Sequence, residues 1–203
     1  MTTLYLIRHG ETSHNAGGRI QGWLDVPLNE TGVWQAGRLG ERFRNKAIQA
    51  IYTSDLSRAR DTAQAIGDAL GLTPVLDTRL REYNMGGWTG LTGDEIQAST
   101  PGLVPHGESE TPIPDGESAQ DMHARVAPFL QEVLAKHAGE RVIAVSHGGT
   151  LGLVVATMLN MPLVRRQPFT FGNTAIARAH FEHGRWRLRS LNDLCHLWPG
   201  RSI

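Results

Sequence analysis

The sequence predicts an α/β fold, and three observations carry that prediction. Short aliphatic runs suited to buried strands alternate with longer segments whose apolar residues recur at helical spacing. Several of the short runs stop abruptly at polar, glycine-bearing turns, among them Arg8-His9-Gly10 and Ser146-His147-Gly148-Gly149. The last apolar stretch alternates with period two, as a hairpin added to the sheet would. In open α/β sheets ligands bind beyond the carboxyl ends of the strands, so the polar turns are where chemistry is expected.

At 203 residues the chain fits one domain, 1–203, long enough to bury a substantial core. No internal repeat or interdomain linker is apparent. Lysines and arginines total 20 and are balanced by 20 acidic residues, which gives no electrostatic case for nucleic acid or a membrane surface. Any anion site must then be local. Only Lys46 and Lys136 are lysines, so nearly all the cations are arginines, whose planar forks suit bidentate phosphate binding. A lone Cys195 cannot form an intramolecular disulfide, and no Cys/His cluster has structural-zinc spacing. Met1-Thr2-Thr3 runs straight into the first apolar run, without the basic region and cleavage site of a secretory signal. Leu151 to Leu159, the longest greasy segment, is far short of the roughly 20 residues that span a bilayer. A soluble, cytoplasmic protein is expected.

Taken in order, Thr3 to Ile7 reads as a buried strand that delivers Arg8 and His9 to a sheet edge. His14 to Leu28, with Gly17-Gly18, Gly22 and Pro27, reads as a loop over that edge, anchored by Trp23 and Leu24. Asn29 to about Arg44 carries Val33, Ala36, Leu39, Gly40 and Phe43 at helical spacing. Ala50–Thr53 is the second strand, and Ser54-Asp55 supplies helix-starting chemistry. Arg58 then falls in the first turn of a helix, where the positive dipole end favours an anion, while Arg60 points to another face. That helix stops at Gly71, and Thr73 to Leu76 is edge-like because Pro74 cannot donate to a ladder.

Glu82 follows in a Gly-rich, aromatic-bearing loop, where partial burial would favour the protonated acid. Thr100 to Ser118, with four prolines, fits no regular element; an ordered flap and a mobile loop are both open. A long helix then places Met122, Val126, Phe129, Leu130, Val133 and Leu134 in the core. Glu140 to Val145 is the clearest central strand, and Leu151 to Met158 a buried helix whose N-terminus would direct backbone donors toward an anion. Residues 175–181 and 186–191, turning at His183-Gly184, form the hairpin.

Leu6-Ile7-Arg8-His9-Gly10-Glu11-Thr12, with Asn15 shortly after, resembles the signature of the histidine phosphatase superfamily, in its phosphoglycerate mutase-like branch. Ser54 to Ala63 resembles that family's second signature, Leu80 to Gly90 its acidic motif, Gly116-Glu117-Ser118 the start of its long helix, and Ser146 to Gly149 its second histidine motif. The resemblance implies a three-layer α/β/α sandwich with a mainly parallel central sheet. It also implies a metal-independent phosphatase in which His9 takes the phosphoryl group, Arg8 and Arg58 grip it, Glu82 donates the proton and a protonated His147 steadies the equatorial oxygens. By the same resemblance Asn15, Gln21, Gly22 and Gly148 touch substrate.

The roles are chemically coherent. A neutral imidazole, with an unperturbed pKa of about 6.5, is nucleophilic at physiological pH. Its other ring nitrogen should donate to a backbone carbonyl or a carboxylate. Arginine forks neutralise a phosphoryl group, and one carboxyl can serve first as acid and then as base. The scheme needs no metal and no cofactor, and its partner is a small phosphorylated substrate; a homodimer is left open. The family's mutases carry a longer insertion with paired basic residues after the proton-donor motif. Here the segment between Glu82 and His147 is shorter and Pro-rich, and Arg165-Arg166 comes after His147. Phosphomonoester hydrolysis is therefore expected first. The alternatives are mutase-type phosphotransfer, a non-catalytic phospholigand or partner binder, and a metal-dependent hydrolase using His9, His14 and His147.

Overall fold

The computed structural model describes residues 1–99 and 113–198. Most of the Pro-rich stretch, from Thr100 to Pro112, lies outside them, and with it the question of a flap.

The strands and helices follow the hydrophobic periods. Strand β1 (Thr2–Arg8) leads to α1 (Ser13–Ala16) and α2 (Glu30–Phe43), then β2 (Ala50–Thr53), α3 (Ser57–Leu70) and β3 (Val75–Leu76). Helices α4 (Gly93–Ser99) and α5 (Ala119–Lys136) precede β4 (Arg141–Ser146), α6 (Gly148–Met158) and the hairpin β5 (Ile176–Glu182) and β6 (Arg185–Asp193). The sheet order is β3-β2-β4-β1-β5-β6. The first four strands in that order run parallel, and β5 is antiparallel to both its neighbours.

Alternation along the central strands makes the three layers. Leu4 and Leu6 of β1 and Val142 and Ala144 of β4 pack with Met122, Val126 and Phe129 of α5 and Leu151 and Val154 of α6. The intervening Ile7, Ile143 and Val145 pack instead with Leu39 and Phe43 of α2 and Ala63 and Ile66 of α3. Each large aliphatic side chain so buried stabilises the fold by about 1.5–3 kcal/mol, against about 1 kcal/mol for a helix cap. The strand pattern therefore sets the layers. A third cluster, Trp88, Ile96 and Ile113 with Ile20, Met85 and Leu91, joins the first through Met85, which packs against both.

Three local differences from the sequence reading have physical causes. Helix α3 begins at Ser57, and its N-cap Leu56 makes no side-chain cap bond. The Ser54 and Asp55 side chains are mainly engaged elsewhere, with His147 and Arg81, and a remote carboxylate, Asp25 Oδ1, accepts the Ser57 N–H at 2.8 Å. Strand β3 is shortened to two residues on the sheet edge, paired among the described residues with β2 alone. Helix α4 was not anticipated, although Thr92-Gly93-Asp94-Glu95 carries a capping-box pattern, and both reciprocal bonds form between Thr92 and Glu95.

Register positions the site. Arg8 is paired with Ser146, and Thr53 with Val145, so β1, β4 and β2 end side by side. Strands β1 and β2 are each prolonged by one residue: the His9 N–H donates to the Ser146 carbonyl and the Ser54 N–H to the Val145 carbonyl, both at 3.0 Å. His9, His147 and Ser54 are thereby fixed on one edge.

Candidate active site

His9 is 3% exposed, and its Nδ1 lies 2.7 Å from the carbonyl oxygen of Gly10. A carbonyl only accepts, so Nδ1 carries the proton and, in the neutral ring, Nε2 keeps its lone pair. Burial, followed by the charges of Arg8 and Arg58, holds this imidazole well below its ordinary pKa. His147 sits behind it with ring centroids 5.1 Å apart. It is fully buried, its Nε2 shares a hydrogen bond with Ser54 Oγ at 2.9 Å, and its Nδ1 has no protein partner. The sequence reading expects a protonated His147 between anionic groups, and the protein alone does not supply such surroundings. Burial first, then Arg58, His9 and Arg8, push its pKa well below the usual value, because it is packed among cations and neutral groups.

The two arginines come from separate elements. Arg8 donates through Nη1 to the Phe171 carbonyl at 2.6 Å. Arg58, 1% exposed, donates through Nη1 and Nη2 to the carbonyls of Leu24 and Gly22, both at 2.8 Å. The glycine-rich loop after α1 is thus tied to α3. Gly22 is needed there: its φ is +51°, and a Cβ would lie 2.9 Å from Met85 Cβ. In both arginines the Nε is buried without a protein partner. A buried unpartnered donor costs about 1–3 kcal/mol, which an anion in the cavity would offset. Burial pushes Arg58 down to about 10, still a cation at neutral pH.

Glu82 is partly buried, as the sequence reading expects, and polar groups surround it. Its carboxylate accepts the N–H of Tyr83 at 3.0 Å, of Thr150 at 3.0 Å and of Gly149 at 3.1 Å, and the Thr150 hydroxyl at 3.2 Å. This means that the amide donors of the α6 N-terminus, expected to face a ligand, are spent largely on the protein's own carboxylate. Gly149 makes this approach possible, since a Cβ there would be 2.7 Å from Glu82 Oε1.

Arg125 was missed altogether. From α5 its guanidinium donates to the carbonyls of Arg79 and Arg81 at 2.7 Å and of Glu82 at 2.8 Å. Glu117 holds the same guanidinium with two bonds of 2.9 Å and accepts the Asn84 N–H at 2.9 Å. The backbone on both sides of Glu82 is clamped from behind. The Glu117-to-Arg125 spacing across a helix start was visible in sequence, but their carbonyl targets were not.

Arg8, His9, Arg58 and Glu82 line one cavity of about 580 Å³. His147 is not among the lining residues and lies against His9, ring centroids 5.1 Å apart. Asn15, Gln21, Gly22 and Gly148 also line it, as do Arg165 and Arg166, which the sequence reading had set aside. Gln21 Oε1 accepts from the Thr12 hydroxyl at 3.0 Å, which leaves its amide nitrogen as the end able to donate. Arg60 is exposed and paired with Asp61, as its helix position implies. His14 does not line the cavity, and among the described residues no cluster of three His, Cys, Asp or Glu side chains could hold a metal ion. Among the same residues no helix is long and apolar enough to cross a membrane.

An α/β/α sandwich with two histidines and two arginines gathered at its parallel strand ends is an enzyme built to handle an anionic group. Residues 4–194 match the histidine phosphatase superfamily (branch 1), and the chain belongs to that superfamily. It is similar to a probable phosphoglycerate mutase, GpmB, of Yersinia pestis, with 38% identity over 97% of this chain and 95% of the relative. Among solved structures it resembles a mycobacterial glucosyl-3-phosphoglycerate phosphatase, at 36% identity and a TM-score of 0.86, covering 94% of this chain and 98% of that one. A phosphoserine phosphatase from Entamoeba histolytica in complex with 3-phosphoglyceric acid is also similar: 31% identity, a TM-score of 0.86, and 98% and 100% of the two chains. The protein is thus an enzyme of the histidine phosphatase type, with the general phosphomonoester hydrolase character of that family.

Proposed function

We propose that the protein hydrolyses a small phosphomonoester through a phosphohistidine on His9, with Glu82 as proton donor. The observation that carries this reading is the pinned His9 tautomer: Nδ1–H is held by the Gly10 carbonyl in a cavity that Arg8 and Arg58 also line. In the first step Nε2 of His9 attacks phosphorus and the ester P–O bond breaks. The departing oxygen takes a proton from the Glu82 carboxyl. In the second step the Glu82 carboxylate takes a proton from water as the water oxygen attacks phosphorus. The P–N bond breaks, and orthophosphate leaves with His9 restored.

Arg8 and Arg58 neutralise the oxygens in flight, and their unpartnered Nε–H groups are matched to that task. His147 gains its proton with the substrate, because the incoming negative charge offsets the burial and the neighbouring arginines that keep the ring neutral. Asn15, Gln21, Gly22 and Gly148 complete the substrate contacts. The alternative is transfer to another hydroxyl, favoured by the name of the Yersinia relative. Incubation with a phosphoglycerate, following free phosphate and isomer separately, decides between them: phosphate release without isomer is expected, and isomer without phosphate would establish the mutase.

A further inference from the structure

Two features behind His9 take no part in the catalytic scheme: a strained backbone and a buried histidine. Among the described residues five other than glycine have positive φ, and Asp115, Asn160, His183 and Asn192 are of the types that tolerate it. The fifth is Thr174, β-branched, fully buried and at φ +60°. Such strain persists only where the surrounding structure over-determines the backbone. The histidine is His196, also fully buried.

The bonds around Thr174 lead to the nucleophile. Its N–H is shared by the carbonyls of Arg8 at 3.1 Å and His9 at 3.2 Å. Asn173 Nδ2 donates to the same His9 carbonyl and to Asn15 Oδ1, both at 3.1 Å. At the other end of the His9–Gly10 peptide, the Gly10 N–H donates to Thr62 Oγ1 at 3.0 Å. That peptide is thus pinned at both of its polar ends. The bond from His9 Nδ1 to the Gly10 carbonyl chooses the tautomer; where the turn lies, and with it Nε2, depends on the peptide.

His196 secures the Thr174 end. The Thr174 hydroxyl gives its one proton to the Asn173 carbonyl at 2.7 Å, so it accepts from His196 Nε2 at 3.1 Å. The Nδ1 of this ring has no protein partner, which leaves the bond to Thr174 as the one polar contact of the imidazole. Arg38 Nε donates to the His196 carbonyl at 3.0 Å and ties the segment to α2.

We propose that Thr174 and His196 are positioning residues for His9: the His196 ring locks Thr174 in its left-handed turn, and that turn, with the Asn173 amide, holds the His9–Gly10 peptide so that Nε2 faces phosphorus. The proposal rests on the phosphohistidine reading for what Nε2 then does. Two pairs of variants test it. Thr174→Gly adopts the same backbone without strain but lacks the hydroxyl, which Thr174→Ser keeps. His196→Phe keeps a ring without the donor, and His196→Gln keeps a donor.

The first readout is independent of turnover. The His9 Nδ1 proton is followed by NMR in protein carrying isotopically labelled histidine and is assigned by its absence from His9→Ala. It should exchange with solvent about tenfold faster or more in Thr174→Gly and His196→Phe, as a locally loosened turn allows. Thr174→Ser and His196→Gln should stay close to the wild type. With p-nitrophenyl phosphate, kcat should fall about 10- to 100-fold in Thr174→Gly and His196→Phe, as for a displaced nucleophile. Inhibition by inorganic phosphate should change little, because Arg8 and Arg58 keep their own carbonyl anchors. If Thr174→Gly does not fold, the His196 pair decides. Unchanged exchange overturns the proposal, as do an equal loss of kcat and phosphate affinity, which marks a general loosening, and a failure of serine and glutamine to restore the wild-type values. Faster exchange in a protein that forms no phosphohistidine would sustain the positioning and defeat the phosphohistidine reading; phosphohistidine formed at the wild-type rate in all four variants would do the reverse.

Discussion

The Nδ1 of His9 and the carbonyl oxygen of Gly10, 2.7 Å apart, fix which face of the imidazole is basic. Since the two residues adjoin, the tautomer is set by the turn that ends β1 and needs no distant support. The ring is also kept neutral, by burial and by Arg8 and Arg58.

Those same charges determine the acid limb of activity. A pKa held well below the ordinary histidine value keeps Nε2 available as pH falls through about 6.5. The fall of kcat/KM on acidification should therefore begin well below that pH. Arg8→Gln removes one of the depressing charges, so its acid limb should lie at higher pH than that of the wild type. Profiles between about pH 4 and 8 with one substrate compare the two enzymes, since the substrate's own ionisation cancels. Coincident limbs would show that Arg8 does not act on His9.

Stability should fall on the acid side for a related reason. His196 is buried, with Nε2 3.1 Å from Thr174 Oγ1, and burial brings its pKa down to about 4. His9 and His147 are shifted in the same direction. Below about pH 6.5 the unfolded chain binds protons that the folded chain refuses, so unfolding becomes easier as pH drops. For His196 the stability is fully present above the unfolded pKa and is lost progressively down to about 4. Thermal melts over this range should show a declining Tm, with a shallower decline in His196→Gln. Equal slopes in both proteins would remove His196 from the account.

Arg125 offers a test of positioning. Its guanidinium donates to three carbonyls around Glu82 and is paired with Glu117. Lysine keeps the charge but not the fork, so Arg125→Lys should lower kcat by about 10- to 100-fold, within the range that general acid–base catalysis supplies. KM should change much less. Leaving-group dependence supplies the second readout, since a displaced acid penalises poor leaving groups most: the loss should shrink for p-nitrophenyl phosphate. A uniform loss across leaving groups would indicate a role in folding alone.

Much of this site was legible because chemistry sits where periodicity stops. Arg8-His9-Gly10 and Ser146-His147-Gly148 end apolar runs, and parallel register brings such ends together. The partners at helix starts were hidden. Sequence identifies the N-termini of α3 and α6 as anion-seeking, but tertiary packing alone decides that Asp25 meets the first and Glu82 the second. Arg125 was invisible because its targets are carbonyls, which every residue has. Arg165 lies in a segment without periodic signal, and its place in the cavity depends on the Gln167 bonds and on Trp88.

The central claim is that His9 becomes covalently phosphorylated. Rapid quenching during turnover of a phosphomonoester labelled in its phosphoryl group, followed by peptide mapping, reads this directly. The account predicts acid-labile, base-stable phosphate on the peptide containing His9, absent from His9→Ala, and longer-lived in Glu82→Gln because the water-activating base is gone. Phosphate on another residue, or undiminished turnover by His9→Ala, would contradict it.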